Sequence, residues 1–353
     1  MLHRHPEDIQ TLYAEVFALL LALEGGRGWP HLAGTFTTKS VGGRDYVYFQ
    51  YSDPGGTKRQ FSIGLRTPAV DAIVEAYADG RGRHVAELEQ IDRLVRLLRA
   101  GGLTATPHAV ARVLRGLADA GVFRLGGVLV GSYGFALIGN VLGVHWPEAA
   151  WRTQDVDVAS RMELATPALE ADVPQVLESL QMGFVPVPQF DPRHASTSFK
   201  VRGKQLRVDL ITPGRERQTA PVYIPRFKAA AAPIKFLSLL MHEHVSAVAV
   251  DGGATLVTVP APARFALHKL LVSQSRSVAQ QTKSGKDLHQ SALLLEVLAE
   301  DRPGDLEAAA VHFSASGPTV TAKVLRALRA AEKRWPEASE GAAIVRAVLE
   351  GRP

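Results

Sequence analysis

Two short segments, TQDVDVAS around Asp155 and Asp157 and RVDLITP around Asp209, alternate carboxylates with branched apolar residues. Alternate side chains of a β-strand share a face, so Asp155 and Asp157 point one way while Val156 and Val158 point the other. The same alternation sets Asp209 opposite Val208 and Leu210. If the two strands pair, three carboxylates crowd one face, and like charges so placed repel unless a cation lies among them. The fold is thereby held to a sheet buried on one side and open to an ion on the other.

Upstream, LVGSYGFALIG reads as a strand, a tight Gly131-Ser132 turn and a helix. Glycine lets the backbone approach a ligand closely, and the free amides of a first helical turn attract anions. Oxygen-only ligands favour a hard cation, and Mg²⁺ is normally completed by substrate phosphates and water. The pattern therefore implies Mg²⁺, with Mn²⁺ as an alternative, on Asp155, Asp157 and Asp209, and a phosphate-bearing substrate whose oxygens meet Gly131 and Ser132. Each part alone arises often by chance, and it is their ordered combination that carries the reading. With no cysteine in the chain, disulfides, iron–sulfur clusters, thiolate zinc sites and a cysteine nucleophile are excluded.

At 353 residues the chain exceeds the usual size of one domain. Residues 1–105 are expected to hold a helix (7–24), an antiparallel β-meander with turns at Gly42-Gly43 and Asp53–Gly56, and a long helix broken near Gly80. Residues 106–260 form the expected core. There Thr106-Pro107 caps a helix ended by Gly121, and strands follow at 124–130 and 155–159, then a hairpin, 196–201 with 205–212. Beyond Pro221 the chain reads as mostly helical, with strands at 248–250 and 255–259, and residues 261–353 as a helical bundle. The fold class expected is α+β. No apolar run reaches the roughly 20 residues of a membrane helix, and MLHRHPEDIQ lacks the parts of a secretory signal, so a cytoplasmic protein with no membrane segment is expected. A net charge of +5 permits a polyanionic partner without demanding one.

GSYGFALIGN, QDVDVA and RVDLIT together resemble the DNA polymerase beta-type nucleotidyltransferase superfamily. More narrowly, TQDVDVA, VPAPARFALHKLLVS and KDLHQSALLLEVL are similar to a bacterial family of that fold, related to abortive-infection nucleotidyltransferase toxins. The resemblance covers roughly residues 30–300. It implies a mixed sheet with flanking helices, triphosphate contacts from Lys269 and Lys286, and a supporting role for Asp287. It also implies a toxin role with an antitoxin protein as partner. One departure is an insert, VLGVHWPEAAWRT, which carries Trp146, Trp151 and Arg152. Two readings of it stay open: a lip over the nucleotide with Arg152 near the phosphates, or a connecting loop anchored by its tryptophans.

Other signals are weaker. Outside the resemblance, Lys269 reads as snorkelling to the surface and Lys286 as part of a solvated helix start. His242 and His244, two apart, diverge on a helix and do not make a metal pair. The meander mixes Lys39, Arg44, Lys58 and Arg59 with Tyr46, Tyr48, Phe49 and Tyr51, a composition that suits RNA or an ordinary half-buried sheet. The expected activity is Mg²⁺-dependent transfer of a nucleoside monophosphate from an NTP to a hydroxyl acceptor, RNA or tRNA favoured. A catalytically silent binding module and a phosphohydrolase are the alternatives.

Overall fold

The computed structural model describes residues 3–26, 33–52, 58–161, 170–276 and 281–351. A two-residue strand β1 (His3–Arg4) leads into helix α1 (Glu7–Gly25). The meander β2 (Gly34–Val41), β3 (Arg44–Ser52) and β4 (Lys58–Leu65) is antiparallel throughout. Its first turn uses positive φ at both Gly42 and Gly43, which matches the twist of a tight hairpin. The Asp53–Gly56 turn lies outside the described residues. Helix α2 (Pro68–Ala100) begins at a Thr67 cap and runs unbroken through Gly80 and Gly82, in place of the expected break. Its contacts explain this: Tyr77 joins Phe36 and Phe49 in an aromatic cluster, and Ile91, Val95 and Leu98 are buried farther along, so packing holds both halves.

Helix α3 (His108–Asp119) takes Pro107, not Thr106, as its cap residue, and the Thr106 amide donates to the carbonyl of Val250. The strand expected over 124–130 shortens to β5 (Val128–Val130), residues 122–127 being consumed by turns that fold back on α3. Helix α4 (Gly131–Val141) follows without a gap, then β6 (Val144–His145), α5 (Glu148–Trp151) and β7 (Asp155–Ala159). After α6 (Val173–Ser179) come β8 (Phe184–Pro186), β9 (Ser198–Val201), β10 (Arg207–Gly214), β11 (Val222–Ile224) and β12 (Ala229–Lys235). These last two replace the helix expected past Pro221. The alanines of β12 favour helix, but the strand is parallel to the end of β10 and pairs β11 on its other edge, and tertiary pairing overrides propensity.

Seven strands form the central sheet, in the order β11-β12-β10-β7-β5, with β9 beside the first half of β10 and β8 beyond it. A short helix α7 (Leu237–Leu240) precedes a separate hairpin, β13 (His244–Val250) and β14 (Ala254–Pro260). His244 thus starts a strand and His242 lies before it, so neither is helical. Helices α8 (Pro262–Ser273), α9 (Gln281–Asp301), α10 (Pro303–Ser314), α11 (Pro318–Arg334) and α12 (Ser339–Leu349) complete the chain. The architecture is α+β, with the helical bundle at the C-terminal end. One buried cluster runs from Val110 to Leu349, so the segments on either side of residue 260 share a core. A smaller cluster joins α1, the second half of α2 and β13. No helix among the described residues is long and apolar enough to cross a membrane.

Candidate functional site

The site begins with strand register. β7 and β10 are parallel, with Asp157 paired to Asp209 and Asp155 paired to Arg207. Paired residues project to the same side, and Val156, Val158, Val208 and Leu210 fill the core on the other. Asp155, Asp157 and Asp209 therefore occupy one face. Burial, Asp209 and Asp155, in that order, push the Asp157 carboxyl up to about 6, while Lys269 and Lys283 oppose the shift. On the outer side of β10, Ser198 is the β9 partner of Asp209. The Ser198 hydroxyl donates to Asp209 Oδ1, and the Arg207 Nε donates to the same oxygen at 2.7 Å. As they stand, no three acidic or histidine side chains among the described residues converge on a point that would hold an ion.

On the other edge, Val130 of β5 pairs with Asp157, and the chain turns directly into α4. Gly131 has φ +65°, and a Cβ placed there would lie 2.2 Å from Asp157 Oδ2. Backbone shape and carboxylate proximity both demand glycine. Ser132 is half-buried beside it in the first turn. Tyr133 donates to the carbonyl of Thr153 at 2.8 Å and ties this turn to the entrance of β7. Burial and the nearby Asp155 push its phenol up to about 12.

Residues 108–315, more than half the chain, match the profile of a protein family described as Nucleotidyltransferase. The chain belongs to the nucleotidyltransferase family. A solved structure, an antigenic nucleotidyltransferase-like protein from Paracoccidioides brasiliensis, is similar at 14% identity over 63% of this chain and 94% of that one, with a TM-score of 0.33. No curated protein is a significant match. The family match starts at α3 and ends just beyond α10, so the meander and the last two helices of this nucleotidyltransferase lie outside it.

The remaining residues singled out in the sequence come from α8 and α9. Lys269 turns inward: its Nζ lies 2.8 Å from Asp287 Oδ1 and 5.1 Å from the centre of the Phe265 ring. Asp287 is buried and its second oxygen receives Arg276 Nε at 2.5 Å. Burial alone pushes the Asp287 carboxyl up, but Lys269 and Arg276 outweigh it and hold it below the ordinary range. Lys286 is half-buried and donates to the backbone carbonyl of Arg152 at 3.0 Å. Burial and Lys269 lower its pKa, against the pull of Asp287 and Asp155. His268, with neither ring nitrogen partnered, is pushed down to about 3 by burial and Lys269.

The insert before β7 resolves into anchor and edge. Trp146 is fully buried, stacks on Phe135 at 4.8 Å and donates its indole N–H to the carbonyl of Phe135 at 2.9 Å. It is a packing residue, not a lip. The side chain of Arg152 is exposed and 3.6 Å from Glu148, while its backbone is held by Lys286. Sequence reasoning missed Arg276, for which no periodicity gave a signal, and Arg207, for which one existed. Arg207 precedes Asp209 by two residues, the spacing of a shared strand face.

Proposed function

We propose that this chain is an active nucleotidyltransferase that moves a nucleoside monophosphate from an NTP to a hydroxyl acceptor. The observation that carries the reading is the pairing of Asp209 with Asp157, beside Asp155 and against the Gly131 turn. The chemistry of the donor set suits a magnesium ion, though the three carboxylates on this face must draw together to hold one: Asp157 is shifted up to about 6 by burial and by its two neighbours. Asp155 and Asp157, joined by Asp209 once it exchanges Arg207, would hold the metal. When bound, Mg²⁺ supplies charge stabilisation for the triphosphate and lowers the pKa of the acceptor hydroxyl.

The chain's own groups do the positioning. The Gly131 and Ser132 amides and the Ser132 hydroxyl receive triphosphate oxygens at the start of α4. Lys269 and Lys286 offset its negative charge, with Asp287 fixing the first of them. The acceptor oxygen forms a bond to the α-phosphorus, the bond from that phosphorus to the β-phosphate oxygen breaks, and pyrophosphate leaves. The hydroxyl proton passes to a carboxylate of the cluster. RNA is the favoured acceptor.

Incubation with each α-labelled NTP, Mg²⁺ and total cellular RNA should transfer label, and Asp157→Ala should abolish transfer. Continued transfer by that variant overturns the metal assignment. The bonds from Arg207 and Ser198 to Asp209 favour one second reading, a catalytically silent module that binds nucleic acid or a partner. Calorimetry with each NTP, with and without Mg²⁺, separates the two readings, since no metal-dependent NTP binding supports the module. A toxin role rests on sequence resemblance alone, and inducible expression that never slows growth argues against it.

A further inference from the structure

Between Asp191 and Asp209 the chain carries Arg193, Lys200, Arg202, Lys204 and Arg207 and no acidic residue at all. Strand pairing turns this run into a strip along one side of the carboxylates. Arg207 pairs with Asp155 on β7 and with Lys200 on β9, so the three lie in one row across the sheet, adjacent to the row of Asp157, Asp209 and Ser198. The Arg207 side chain is 43% exposed, and among the described residues its bonds to Asp209 and Ser198 use only Nε, which leaves the two terminal nitrogens of the guanidinium for an incoming group. Lys200 is exposed, and Arg202 and Lys204 follow it at the exposed β9–β10 turn.

A second observation comes from the loop between β8 and β9. It is closed at its base by the Val187 amide on the carbonyl of Ser198, at 2.8 Å, and by Gln189 on Thr197, at 3.1 Å. Within it Phe190 is 108% exposed, the most exposed of the large hydrophobic residues among those described. Prolines at 188 and 192 flank it and restrict the loop. An apolar ring offered wholly to water, on a constrained loop that springs from the strand partner of Asp209, has no packing purpose. Exposed cations and an open aromatic ring are what a single nucleic-acid strand requires, since phosphates take the charge and bases stack on the ring.

The Gly131–Ser132 turn follows β5, on one side of the carboxylates, and this strip lies on the β9 side. We propose that Arg207, Lys200 and Phe190 form the acceptor site, and that the acceptor is the hydroxyl end of a single-stranded nucleic acid. The proposal rests on the nucleotidyl-transfer reading and specifies its acceptor. Arg207 grips the phosphate next to the terminal hydroxyl through its guanidinium fork, Lys200 meets the following phosphate, and Phe190 stacks on a base. A polycationic small molecule is repelled by the same strip.

The test uses the full chain and a 5′-fluorescein oligouridylate with a free 3′ hydroxyl, titrated over a range of salt, with and without Mg²⁺ and an NTP. Phe190→Ala should weaken binding by about tenfold or more, and Phe190→Trp should restore it, because any aromatic ring can stack. Lys200→Ala should weaken binding and reduce the slope of log affinity against log salt by about one. Both variants lie on the surface, and calorimetric Mg²⁺–NTP affinity should stay at the parent value. Arg207→Lys, which loses the guanidinium fork, should raise the acceptor KM. Unchanged oligonucleotide affinity and salt slope in both Lys200→Ala and Phe190→Ala overturns the proposal, as does label transfer to a protein or a cationic small molecule in preference to RNA. Loss of Mg²⁺-dependent NTP binding in the parent chain overturns the transfer reading instead, and the oligonucleotide titration, which needs no turnover, separates that failure from this one.

Discussion

Gly131 carries two constraints at once. Its φ of +65° costs a residue with a Cβ about 1–2 kcal/mol, and the Cβ itself would press on Asp157. Gly131→Ala is therefore expected to lose at least that much stability in urea and, by displacing Asp157, to weaken Mg²⁺–NTP binding measured calorimetrically. Asp157 gives a pH dependence whose sign is fixed by its shift. Its folded value, about 6, lies above its ordinary value of 3.8, so the native state holds the proton more tightly. The stability tied to that proton is complete below 3.8 and is lost as pH rises through about 6. In metal-free protein, Asp157→Asn should accordingly raise Tm by a few degrees above pH 6, with the gain fading toward pH 4. Melts across that range check it, and a gain that grows as pH falls contradicts the sign. Added Mg²⁺ should stabilise the parent and not the variant.

At the scale of elements, Asp287 joins α8, the turn after it and α9 through Lys269 and Arg276. Removing the carboxylate leaves two cations facing each other in a largely buried place, and breaking a buried pair in this way costs roughly 3–5 kcal/mol. Asp287→Ala should lose stability of that order, and the double variant with Lys269→Met should lose less than the sum of the singles. Additive losses in a denaturation cycle would show that the pair is not coupled. The carboxylate strands, their neighbouring glycine turn and the C-terminal helices were legible because each rests on a local period or a turn residue. β12 was not. Its alanines say helix, and only the hydrogen-bonding edges of β10 and β11 make it a strand. The inward turn of Lys269 was equally hidden, since a lysine in an apolar helix snorkels unless a buried carboxylate lies within reach.

Across the whole molecule, two packing regions differ in depth. The core from Val110 to Leu349 is continuous through sheet and bundle. The meander rests on the first half of α2 through one aromatic cluster, Phe36, Phe49 and Tyr77. Its opposite face, with Tyr46 and Tyr48, is only half-buried. Fewer buried contacts lower the free energy of local opening. Hydrogen exchange should consequently be fastest in β2 to β4 and slowest in β7, β10 and α8, and equal protection in all six would refute this hierarchy.

The sequence by itself determined the carboxylate face of each strand, the turn that only glycine can make beside it and the helical C-terminal region, because these follow from side-chain period and backbone sterics over a few residues. Tertiary structure alone decided that β10 lies beside β7 with Asp209 against Asp157, that Ser198 of β9 reaches that carboxylate, and that Asp287 gathers Lys269 and Arg276. These contacts join residues far apart in the chain or on different elements, and their geometry is set by which surfaces can bury apolar area together, a choice no local pattern contains.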